Sequence, residues 1–74
     1  MIQKLCCINI DQKCKIISVS GSNKCRLLEM GLIKGVNVKV LYKMSNYGPL
    51  EILINGSRLV LRHDDAQLIL VEVD

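Results

Sequence analysis

The stretch "VNVKVLYKM" alternates along its whole length: Val36, Val38, Val40, Tyr42 and Met44 fall on one side, and Asn37, Lys39, Leu41 and Lys43 on the other. This period of two predicts a half-buried strand over 36–44. "CKIISVSGS" alternates in part and runs into Ser-Gly-Ser, which predicts a strand from Cys14 that ends near Ser20 in a turn. In "LEILINGSRLVLR", Asn55-Gly56 separates two apolar runs, a strong short-range hairpin signal that pairs Leu50–Ile54 with Arg58–Arg62. "HDDAQ" then reads as one polar turn, tight-helical in kind, before "LILVEV" closes the chain with a last strand.

One segment breaks the strand pattern. In "SNKCRLLEMG", Ser22 or Asn23 is placed to cap a helix over about residues 23–30, and Gly31 is placed to end it in the left-handed conformation. With Gly31 at C′, Leu27 and Leu32 occupy the C3 and C″ positions, whose apolar contact accompanies a Schellman ending. A helix of about two turns has no stability of its own and forms only where its leucines find a surface. Leu27 and Leu28 lie on adjacent sides, so both cannot point fully inward.

Five strands at close spacing with short connections and one short helix predict a mostly β fold: a small, strongly bent, SH3-like five-stranded antiparallel barrel. Gly31, Gly35, Asn55 and Gly56 are its expected turn residues. The helix would plug one end of the barrel, or present a contact surface, or both.

Composition narrows this further. The 74 residues make a single domain, 1–74, with no Trp or Phe, so the core falls to Ile, Leu and Val. Runs such as "LILV" are far too short to cross a bilayer, and polar residues interrupt the first thirteen before a signal-peptide core forms, so a cytoplasmic location is expected. Residues 1–43 hold eight Lys and Arg against Asp11 and Glu29, whereas residues 44–74 hold Arg58 and Arg62 against five acids. Strands interleave in space, so this asymmetry reads first as solvated faces. Two tyrosines supply little stacking surface, and no nucleic-acid partner is expected.

Candidate chemistry is sparse. Cys6, Cys7, Cys14 and Cys25 contain no C-x-x-C pair, and free thiols are the expectation, with Cys6 and Cys7 alternating faces in an extended chain. With His63 they are weak candidates for soft metal ligands, against the commoner use of cysteine in packing. His63-Asp64-Asp65 reads as a capped turn more readily than as a site. There is no Ser-His-acid order and no glycine-rich phosphate loop, so no catalytic residue is assigned and the protein is read as a non-enzyme.

"CRLLEMGLIKGVNVKVL" and "GPLEILINGSRLVLRHDDAQLILVE" together resemble the FeoA family of small SH3-like ferrous iron transport proteins, over about residues 16–72. The most specific parts are Arg26-Leu27-x-x-Met30-Gly31-Leu32, Gly35, Pro49-Leu50-Glu51-Ile52 and Gly56. A similar barrel follows a winged helix in DtxR-type repressors. The chain departs from the FeoA pattern at Lys34, where proline is common, and near Gln12, where glycine is common. The resemblance implies a cytosolic accessory protein of bacterial ferrous iron uptake. It would act by contact with the GTP-binding domain or the cytoplasmic face of the transporter FeoB, lie peripherally at the inner membrane face, and require no cofactor. Arg26, Leu28, Glu29, Gly31, Leu32 and Ile33 are the expected partner-binding residues. The alternative is a transition-metal chaperone or sensor with weak Fe2+ or Zn2+ binding through the cysteines and His63.

Overall fold

The computed structural model of the chain describes residues 1–45 and 47–73. Asn46 and Asp74 lie outside them. The strands are β1 (Ile2–Lys4), β2 (Lys13–Val19), β3 (Asn37–Lys43), β4 (Leu50–Ile54), β5 (Ser57–Leu61) and β6 (Ile69–Val73), and the helices are α1 (Lys24–Glu29) and α2 (His63–Gln67). All neighbouring strands are antiparallel, in the order β1-β6-β2-β3-β4-β5.

The sheet is open between β1 and β5, yet its extents are nearly equal, 25 × 24 × 23 Å. A flat six-stranded sheet would be much thinner in one direction, since adjacent strands stand only about 4.8 Å apart and one layer is about 10 Å deep. The sheet is therefore curled around its own apolar face. Two register shifts help it bend, one between Ile16 and Ser18 of β2 and one between Val40 and Tyr42 of β3.

The second shift corrects the expected facing of β3. Val38 and Val40 point into the core as the alternation requires, but the bulge at Leu41 reverses the phase, leaving Tyr42 55% and Met44 66% exposed. A bulge inserts one residue without changing the local pattern, so alternation alone does not reveal it.

The N-terminal segment is the other correction. Ile2–Lys4 forms a sixth strand against β6, and Leu5–Cys7 then turns in a 3₁₀ helix instead of remaining extended. Leu5 and Ile8 are both fully buried, so this turn completes the core under α2. Lys43 Nζ closes the same corner by donating to the Cys6 carbonyl at 3.0 Å. Asp11 has φ 69 and donates its N–H to the Val40 carbonyl at 2.7 Å. Aspartate tolerates the left-handed region better than most residues, which explains how the chain turns here without the glycine expected near Gln12.

The Asn55-Gly56 hairpin forms as predicted. Both central residues have positive φ, 51 and 78, as a type I′ turn requires, and Ile54 pairs with Ser57 across it.

A candidate interaction surface around helix α1

Helix α1 is held at its two ends by different means. At the C-terminal end Gly31 has φ +102, its N–H donates to the Leu28 carbonyl at 3.0 Å, and the Leu32 N–H donates to the Leu27 carbonyl at 3.1 Å. These two bonds are the Schellman pair, and Leu27 and Leu32 are both buried, as its apolar contact demands. Gly35, also at positive φ, then donates to the Ile16 carbonyl at 2.8 Å and returns the chain to β2.

At the N-terminal end Asn23 occupies the cap position, but its side chain does not cap. Its Nδ2 donates instead to Asp65 Oδ1 of α2 at 3.1 Å, and Arg26 reaches Asp65 Oδ2 at 3.4 Å. The Asp65 side chain is only 7% exposed, whereas that of Arg26 is 61% exposed. A buried carboxylate is costly unless it is bonded, and here α1 supplies both partners. Sequence reasoning placed Asp65 in a polar turn and missed this role. The only signal was two adjacent acids in a turn otherwise destined for burial.

The expected contact residues divide accordingly. Arg26 and Glu29 are exposed, Leu28 and Gly31 are partly exposed, and Ile33 is 51% exposed just beyond the turn. Leu32 is 0% exposed and belongs to the core, so it is removed from the contact set: the Schellman turn that displays Ile33 drives Leu32 inward. Of the adjacent leucines, Leu27 takes the core side and Leu28 the half-open side. Met30, 37% exposed, joins the same surface. The hairpin tip lies alongside, because Asn55 Nδ2 stands 3.7 Å from where a Cβ on Gly31 would be.

The cysteines and His63 do not converge. Among the described residues no group of three or more His, Cys, Asp or Glu is placed to hold a metal ion. Cys7 and Cys25 are exposed, on the 3₁₀ turn and on α1, and all four cysteines are free. Cys14 is buried on β2, its Sγ facing the Val38 carbonyl at 3.6 Å, and burial pushes its thiol up to about 11. Cys6 is also raised, by burial first and then by the adjoining Cys7. His63 makes an edge contact with Tyr47, ring centroids 5.3 Å apart.

These features define a small SH3-like β protein that displays one short, firmly held helix. The FeoA domain model matches residues 3–73, and the chain belongs to the FeoA family, whose association is with ferrous iron transport. The FeoA protein of Chlorobium tepidum is similar at 29% identity, with a TM-score of 0.86 over 96% of this chain and 70% of that one. FeoA of Stenotrophomonas maltophilia, solved with zinc and described as a prokaryotic SH3-domain protein and candidate activating factor of ferrous iron transport, is 25% identical; the match covers 95% of this chain and 89% of that one at a TM-score of 0.82. The IdeR protein of T. acidophilum shares the fold, at 21% identity and a TM-score of 0.87, over 99% of this chain but 34% of its own. A search of curated protein sequences gives no match. Among the described residues no helix is long and apolar enough to cross a membrane.

Proposed function

We propose that this protein is a non-enzymatic accessory subunit of ferrous iron uptake that acts by binding the cytoplasmic side of the FeoB transporter. The observation that carries this reading is the exposed rim formed by Arg26, Leu28, Glu29 and Ile33 around Gly31. Apolar and charged groups alternate there on a helix fixed at both ends, so contact with a partner requires little further ordering. Membership of the FeoA family supports the transport context, and the activating role suggested for the S. maltophilia protein supports action through a partner. In this reading the protein works in the cytoplasm, reaches the inner membrane face only through FeoB, and needs no nucleic acid.

The test is an NMR titration of labelled protein with the GTP-binding domain of FeoB from the same cell, with and without nucleotide. Shifts confined to residues 24–35 and the hairpin tip are expected, and they should vanish in Leu28→Glu. Normal folding of that variant with undiminished binding would show that the helix is not the contact.

The zinc bound by S. maltophilia FeoA supports a second reading, weak Fe2+ or Zn2+ handling by Cys6, Cys7, Cys14, Cys25 or His63. It requires donors from more than one molecule or a rearrangement, because the described residues hold no converged set. Titration of the reduced protein with Co(II) would show a thiolate charge-transfer band if this reading holds, and no band at stoichiometric metal if it fails.

A further inference from the structure

The outer face of the sheet carries a row of cations set by strand register. Lys13 of β2 lies directly opposite Lys39 of β3, Lys39 opposite Leu53 of β4, and Leu53 opposite Arg58 of β5. Lys15 stands two residues along from Lys13, opposite Asn37. A groove of about 490 Å3 lies along this face, and Lys13, Lys15 and Lys39 line it together with Asn37 and Asn55.

Two features of the groove point to an anionic occupant. Like charges directly opposite on antiparallel strands have Cβ atoms only about 5 Å apart and repel. Lys39 is also half-withdrawn from water, its side chain 34% exposed, with Asp11 at 4.0 Å as its ion-pair contact. Asp11 is itself 77% exposed and held at the limit of such a contact, so it compensates weakly. Glu72, the one carboxylate among the described residues that line the groove, stands opposite Lys15 in the pairing of β2 with β6 and is paired with the Met1 ammonium at 3.1 Å, so Lys13 and Lys39 are left to face each other. An incoming carboxylate between Lys13 and Lys39 would relieve the repulsion and offset half of the pair's charge.

We propose that this groove binds an acidic peptide segment in extended conformation. From β2 to Leu53 of β4 the groove spans two strand spacings, about 10 Å, which about three extended residues cover. Asn37 and Asn55 add amide donors and acceptors for a peptide backbone. A concave groove does not fit a flat bilayer, and among the described residues no aromatic side chain lines it for base stacking. The site adjoins the α1 surface through Asn55, but it is a property of this chain and stands whether or not FeoB is the partner.

The experiment is an NMR titration with a terminally blocked hexaglutamate peptide at about 50 mM salt, where exposed charges are still felt across the groove. Shifts are expected at Lys13, Lys15, Asn37, Lys39 and Asn55, with none from hexalysine. In Lys13→Gln/Lys39→Gln the affinity should fall by about tenfold or more while core methyl shifts stay in place. No binding at millimolar peptide, shifts spread evenly over Lys24 and Lys34 as well, or an unchanged affinity in the double variant would each overturn the proposal. So would binding to phosphatidylserine vesicles or single-stranded DNA without binding to the peptide.

Discussion

The two ends of α1 are held by opposite strategies. The C-terminal end is closed by residues within six positions of each other: Gly31 in the left-handed region and the bonds Gly31 to Leu28 and Leu32 to Leu27. The N-terminal end is tied to Asp65, about forty positions away in sequence, by Asn23 and Arg26. A local stop is written into the chain, while a long-range tether exists only once α2 is in place. The helix between them is therefore rigid only in the finished fold, and its exposed rim depends on both.

The largest effect should come from the residue that joins the local stop to the core. Leu32→Ala removes a fully buried side chain and is expected to cost about 2–5 kcal/mol in urea unfolding. A cost under about 1 kcal/mol would mean that the turn does not depend on its apolar contact. A baseline for the whole fold comes from Cys14, away from both ends. Its folded pKa of about 11 lies above the ordinary 9.0, so the unfolded chain loses this proton first. Stability is thus unaffected below about pH 9 and falls as pH rises from there toward 11, by on the order of 2 kcal/mol. Melting curves across that window should show the slope in the parent and a smaller one in Cys14→Ala.

The tether and the stop can then be weighed directly. Asp65→Ala leaves Asn23 and Arg26 without their acceptor and is expected to cost about 1–3 kcal/mol, whereas Arg26→Ala should cost under about 1 kcal/mol because its guanidinium is largely in water. Hydrogen exchange should show the N-terminal turn of α1 loosening in Asp65→Ala before the C-terminal turn. Gly31→Ala should cost roughly 1–2 kcal/mol, since space is available around Gly31 and only the left-handed φ is penalised. Gly31→Asn should recover part of that loss. The smallest effect on stability belongs to Leu28→Glu, within about 0.5 kcal/mol for a side chain on the half-open side. That variant is therefore the cleanest probe of the proposed FeoB contact.

Much of the fold could be read from the chain because its signals are short-range. The Asn55-Gly56 hairpin, the Gly31 stop and the strand predicted over 36–44 and found as Asn37–Lys43 depend on backbone geometry and side-chain alternation within a few residues. The candidate surface was legible in part: Arg26, Glu29 and Ile33 are displayed as expected, whereas Leu32, expected among the contacts, is core.

What the sequence could not supply was set by partners far along the chain. β1 is a strand because β6 offers it an edge, and Leu5 and Ile8 are core because a 3₁₀ turn folds them under α2. The bulge at Leu41 exposes Tyr42 and Met44 through the pairing of β3 with β4, which no local pattern records. Asp65 became the tether of α1, and Lys13 and Lys39 became neighbours, with Arg58 two strands further on, only through the fold. The sequence by itself determined the family, most strands and the stop of the helix, since these follow from local conformational preference. The tertiary structure alone decided which charges meet and which leucines face water, since both depend on the distance between segments that only folding brings together.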